Sequence, residues 1–107
     1  NDEELDIIKR IFDATTLTAN AFIIKLQQLY NIKIVILTCG EKGSSVYYEN
    51  EVNTESTPKV DVVDTIGAGD SFTAAFVATL LQGKSVIEAH RQAVATSAHV
   101  CTHKGAI

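Results

Sequence analysis

Seven consecutive residues, Asp64-Thr65-Ile66-Gly67-Ala68-Gly69-Asp70, hold the densest chemistry in this chain. Gly67 and Gly69 flank Ala68, so the backbone can turn tightly with little side chain in the way of a ligand. Phe72, Phe76, Thr79, Leu80 and Gly83 follow at helical spacing, so a helix begins near Gly69. The first amides of a helix lack intrahelical partners, and the dipole there favours anions. A turn of this kind can cradle a phosphate or an oxyanion. Asp70 stands in the same place, and its charge would repel a resting phosphate. One role that reconciles the two is accepting a proton from a hydroxyl that attacks phosphorus. A carboxylate is a weak base towards an alcohol, but phosphoryl transfer depends mostly on positioning and charge stabilisation. The plainer reading, a carboxylate that only caps a helix start, stays open.

Other residues carry weaker signals. Asn1 can cap a helix, with Asp2, Glu3 and Glu4 in its first turn. Thr38-Cys39-Gly40-Glu41-Lys42-Gly43 reads as a glycine turn, and Lys42 can reach a phosphate or simply be solvated. His90 and His99 lie nine residues apart on one helix and read as surface or boundary histidines without a metal-ligand partner at i+4. No Gly-x-x-x-x-Gly-Lys-Ser/Thr or Gly-x-Gly-x-x-Gly occurs, nor the His-Arg-Asp and Asp-Phe-Gly set of protein kinases.

The elements that position these residues alternate in type. Residues 18–30 read as a helix with Phe22, Ile23, Leu26, Leu29 and Tyr30 on one face, ended by Asn31. Ile34-Val35-Ile36-Leu37 is apolar on both faces and predicts a buried strand of a parallel sheet. The Thr38 turn then sits at its carboxyl end, where open α/β sheets bind ligands. Residues 44–49 read as the next strand, turned by Asn50-Glu51 into residues 52–54. The alternating Lys59-Val60-Asp61-Val62-Val63 predicts a strand before the central motif. Ala74, Ala75 and Ala78 form a small-residue face suited to packing on a sheet. Gly83 stops that helix, and Ser85 caps another reaching about residue 102. Val86, Ala89, Ala93, Ser97, Val100 and Cys101 mark its inner face.

The 107 residues fit one domain at most. With 46% apolar residues the chain can build a core. A net charge of −4 without a basic stripe argues against nucleic acid as a partner. No apolar run reaches a membrane span. Two isolated cysteines, Cys39 and Cys101, read as free thiols of a cytoplasmic protein.

Asp64-Thr-x-Gly-Ala-Gly-Asp70, followed by Ala74-Ala75-Phe76, resembles the C-terminal signature of the ribokinase/PfkB family of carbohydrate kinases. The resemblance implies a ribokinase-like three-layer α/β/α sandwich, of which residues 1–107 would be the C-terminal, nucleotide-binding part. The N-terminal substrate and lid part would be absent, which makes the chain a fragment that is inactive alone. By the same resemblance Asp70 is the catalytic base, and the amides of Gly67, Ala68 and Gly69 form the anion hole. Asn1 and Glu4 match an Asn-x-x-Glu motif that places Mg2+, through water, and the nucleotide phosphates. Thr38, Gly40 and Gly43, with Lys42, line the ATP site. Val94 falls near the adenine, where relatives often carry Asn or His. Asp64, with the carbonyls of Ile66, Val100, His103 and Gly105, would hold K+. The implied activity is ATP-dependent phosphorylation of a sugar hydroxyl, nearest to fructokinase-like members. Two other readings stay open: a nucleoside or pyridoxal-type kinase of the same fold, and an inactive association or nucleotide-binding module that self-associates through uncovered edges.

Overall fold

Capping residues set most of the element boundaries. In the computed structural model, which describes residues 1–12 and 16–103, Asn1 begins helix α1 (Asp2–Ile11). Its Oδ1 accepts from the Glu4 amide at 2.9 Å, and Glu4 Oε1 accepts from the Asn1 backbone nitrogen at 3.1 Å. This closes a reciprocal capping box. Thr18 caps α2 (Ala19–Tyr30) through the Ala21 amide, and Asn31 ends it in the left-handed conformation at φ 54°. Each side-chain cap stabilises its helix by about 1 kcal/mol.

Two compact units follow one another, Asn1–Thr54 and Glu55–Ile107. The first packs α1 and α2 with a three-stranded sheet of order β1-β2-β3, where β1 is Ile34–Thr38, β2 Ser44–Tyr48 and β3 Glu51–Glu55. Leu5, Phe22, Ile23, Leu37 and Tyr47 form its core. Two polar bonds tie α2 to β2: Tyr47 Oη donates to Asn20 Oδ1 at 2.6 Å, and Gln27 Nε2 donates to the Tyr47 carbonyl at 2.9 Å.

This sheet corrects three expectations. Strands β1 and β2 pair antiparallel, with Ile34 opposite Tyr48 and Thr38 opposite Ser44. The connection at residues 39–43 is far shorter than the dozen or more residues a parallel crossover needs. Only Leu37 of β1 is fully buried; Ile34, Val35 and Ile36 are half-buried. The turn into β3 falls on Glu49 and Asn50, one residue earlier than expected. Both adopt positive φ, 50° and 61°, which is the combination a two-residue type I′ hairpin turn demands. On α2, Leu29 and Tyr30 are exposed, so the buried stripe ends after Leu26.

The second unit is built on a helical pair, α3 (Ala68–Leu81) and α4 (Val86–Cys101). Gly83 at φ 82° ends the first, and Ser85 Oγ caps the second by accepting from the Glu88 amide at 3.1 Å. Phe72, Phe76 and Thr79 on α3 and Ala89, His90 and Ala93 on α4 are buried. The two buried alanines let the aromatic α3 face approach α4 closely. The small residues Ala74 and Ala78, expected to pack on a sheet, are exposed instead. His90 is also corrected: it is wholly buried, edge-on to Phe72 with ring centroids 6.0 Å apart. Burial holds its imidazole below the ordinary histidine value, and the charge of Glu55 pulls the other way.

Residues 59–63 form no strand. An alternating β-branched segment needs a ladder partner, and none of the described strands offers one. The amides of Val63 and Asp64 instead both donate to the Cys101 carbonyl at the end of α4, at 2.8 and 3.2 Å. No helix among the described residues is long and apolar enough to cross a membrane. Cys39 and Cys101 are free thiols.

Candidate functional site

Residues 64–70 fold as two linked turns. Asp64 Oδ1 accepts from the Ile66 amide at 2.9 Å, and the Thr65 carbonyl accepts from the Ala68 amide at 3.2 Å. Gly67 then serves as N-cap of α3 at φ 81° and ψ −2°, a left-handed conformation that glycine adopts without penalty. With no side chain at the cap, this helix start makes no side-chain cap bond. Among the described residues the amides of Gly67, Gly69 and Asp70 have no acceptor, while the Ala68 amide is taken by Thr65. A Cβ placed on Gly69 would meet no heavy atom within 4 Å, so the backbone there is open to an approaching group. Three free amides at a helix start are the donor set that an anion needs.

Asp70 occupies the third helical position, is exposed, and receives no hydrogen bond from the described residues. The contrast with α1 is informative. Glu4 holds the same position there, and its carboxylate closes a capping box. Asp70 makes no such capping bond among the described residues, although as a first-turn acid it complements the dipole of α3.

The second unit also brings the end of α4 to this turn, through the Cys101 carbonyl. Val100 lies there half-buried, and its carbonyl accepts from the His103 amide at 3.1 Å. His103 is exposed. Val94 is half-buried, two turns earlier on α4. Gly105 lies outside the described residues. A concavity of about 620 Å³ between α3 and α4, lined by Ala75, Thr79, Gln82, Lys84 and Arg91 among others, includes none of residues 64–70. It is a broad interhelical groove, and the free amides mark the chemically equipped place.

In the first unit, Thr38 ends β1 and Gly40 begins a short 3₁₀ turn at φ 56°. Gly43, at φ 107°, returns the chain into β2, with its carbonyl accepting from the Cys39 amide at 2.9 Å. The loop is therefore a hairpin connection, and Lys42 is exposed on it. Asn1 and Glu4 sit at the exposed start of α1. Burial raises the Cys39 thiol above its ordinary value, and the Asp2 carboxylate adds to the shift. Leu5 of α1 belongs to the core cluster against which Cys39 packs, so α1 lies beside the loop after β1.

Two features escaped the sequence reading. His90 shares the stripe of Ala89 and Ala93, a signal that helical spacing does contain. His103 stands four residues after His99, and their ring centroids lie 4.5 Å apart.

The family model described as pfkB family carbohydrate kinase matches residues 1–107. Ribokinase from Arabidopsis thaliana is 41% identical over 78 residues, which cover 71% of this chain and 21% of that protein. Its structure, solved with ribose and ATP, superposes with a TM-score of 0.75 at 38% identity over 82% of this chain and 28% of that one. Ribokinase from Thermotoga maritima gives a TM-score of 0.86 at 35% identity, covering 99% of this chain and 35% of that one. Fructokinase-2 from Solanum lycopersicum is 34% identical over 84 residues, 72% of this chain and 26% of that protein. The chain spans about a fifth to a third of the length of these relatives.

Proposed function

Because the chain belongs to the pfkB family of carbohydrate kinases and shares the ribokinase-like α/β fold, we propose that it carries the catalytic base and the anion hole of an ATP-dependent sugar kinase. One observation carries this reading. Asp70 is an exposed carboxylate that receives no hydrogen bond from the described residues, at the same helix start as the amides of Gly67, Gly69 and its own nitrogen, which have no acceptor among them. A helix start that needed only a cap would use such a group; this one leaves it facing outward.

In the proposed reaction a sugar hydroxyl attacks the terminal phosphorus of ATP. Asp70 orients that hydroxyl and accepts its proton as the new O–P bond forms and the bond to ADP breaks. The free amides donate to the equatorial oxygens, where negative charge is spread in the transition state. The Ala68 amide joins them by releasing its long bond to Thr65. Asp64 fixes the turn that aims these donors, through the Ile66 amide. In the first unit, Thr38, Gly40, Lys42 and Gly43 contribute to nucleotide binding, with Asn1 placing phosphates. The open backbone at Gly69 fits a phosphoryl group, and the exposed Glu4 carboxylate fits a water-mediated place for Mg2+. Magnesium neutralises phosphate charge when bound. For K+, Asp64 and the carbonyls of Ile66, Val100, His103 and Gly105 remain the proposed ligands. Similarity to proteins named ribokinase and fructokinase supports ribose and fructose as the first sugars to test.

Turnover of ribose and of fructose by the full-length protein tests this reading. Asp70→Asn should lower kcat by about 10²–10⁴-fold with ATP affinity retained, whereas Gly69→Val should abolish ATP binding in calorimetry. An Asp70→Asn protein with undiminished kcat would refute the assignment. Binding of ATP without turnover of any sugar would favour the association or nucleotide-binding module.

A further inference from the structure

His99 and His103 stand four residues apart across the end of α4, both exposed, with rings tilted by 48°. Local hydrogen bonds define the state of the His103 ring. Thr102 Oγ1 donates to the His99 carbonyl at 2.6 Å. His103 Nδ1 lies 2.9 Å from that same carbonyl and 3.0 Å from Thr102 Oγ1. A carbonyl only accepts, and the Thr102 proton is already engaged. Both neighbours of Nδ1 are thus acceptors, so Nδ1 bears the proton and the neutral ring keeps its lone pair on Nε2.

Histidines that bind metals are commonly held this way, with one ring nitrogen donating to a backbone carbonyl and the other carrying the metal. Two histidines at i and i+4 share one helix face and can meet one ion, as in the paired histidines of helical zinc motifs. The His103 amide bond to the Val100 carbonyl continues the turn two residues past the end of α4.

We propose that His99 and His103 form a two-imidazole site for a borderline first-row transition-metal dication, of the Zn2+, Ni2+ or Cu2+ class. Imidazole nitrogen suits these ions, whereas Mg2+ prefers oxygen. Among the described residues no third His, Cys, Asp or Glu joins the pair, so water fills the remaining positions and the ion exchanges freely. The site uses the His99 and His103 imidazoles, whereas the kinase reading uses only the His103 main-chain carbonyl.

Titration calorimetry of the untagged protein with NiCl2 and with ZnCl2 tests the proposal, with MgCl2 as the contrasting ion. One Ni2+ or Zn2+ per chain is expected. His99→Ala and His103→Ala should each raise Kd at least tenfold, and Thr102→Val, which removes an orienting group, about tenfold. Both histidines are exposed, and circular dichroism of each variant verifies the fold. Failure of the wild type to bind either ion overturns the proposal. So does an unchanged Kd in His99→Ala, equal binding of Mg2+, or binding that Cys39→Ser or Cys101→Ser abolishes instead.

Discussion

Gly67 and Gly69 lie two residues apart, yet the structure gives alanine opposite consequences at the two positions. Gly67 caps α3 at φ 81°, where a Cβ crowds the backbone. A left-handed conformation costs an L-residue about 1–2 kcal/mol. Each kcal/mol lowers Tm by about 4–8 °C in a domain of this size. Gly69 is in the first turn of the helix, and a Cβ there meets no heavy atom within 4 Å. Alanine is favoured over glycine by up to about 1 kcal/mol inside a helix and by less at its first turn. Gly67→Ala should therefore melt several degrees lower, and Gly69→Ala at the same temperature or slightly higher. Nucleotide affinity should follow a different order. If the free amides hold a phosphate, a methyl on Gly69 should obstruct its approach, and ATP should bind at least tenfold more weakly, about 1.4 kcal/mol. Differential scanning fluorimetry and ATP titration of both variants separate stability from binding. A Gly69→Ala protein that melts as low as Gly67→Ala would contradict the open geometry. One that is stable and binds ATP as the wild type does would refute the phosphate cradle.

Two further outcomes follow from buried polar groups. His90 resists protonation when folded, whereas the unfolded chain takes up the proton near pH 6.5. Its stabilising contribution is complete above that pH and falls as pH drops below it. The Tm of wild type should decline more between pH 7.5 and 5.5 than that of His90→Gln; equal declines would remove His90 as the cause. Tyr47→Phe deletes the 2.6 Å bond to Asn20 and should lower stability by about 1 kcal/mol in urea unfolding. No change would mean that Asn20 finds water equally good.

Local signals are legible in the sequence because their physics is local. Asn1, Thr18 and Ser85 cap helices with their own side chains, and Asn31 and Gly83 end them through their own dihedrals. The central turn and the helix start at Ala68 were legible for the same reason. Residues 59–63 were not, since alternation predicts a strand only where a neighbour completes the ladder. The β1–β2 hairpin is legible in the glycine turn at residues 39–43, which is too short for a parallel crossover to β2, whereas the apolar run of β1 speaks only to its burial. Residue type suggests a surface His90, whereas its spacing from Ala93 puts it inside. Asp70 was legible as a candidate, but its lack of a capping bond required coordinates.

The bond pair between residues 63–64 and the end of α4 has an evolutionary consequence. Its acceptor is the main-chain oxygen of residue 101, and its donors are the amides of residues 63 and 64. No side chain takes part, so ordinary substitutions at these three positions preserve the bonds, and only proline at 63 or 64 deletes a donor. The tether that carries the proposed anion-binding turn is thus invisible to an alanine scan. Cys101 can drift through sequence space while its oxygen continues to hold the turn in place.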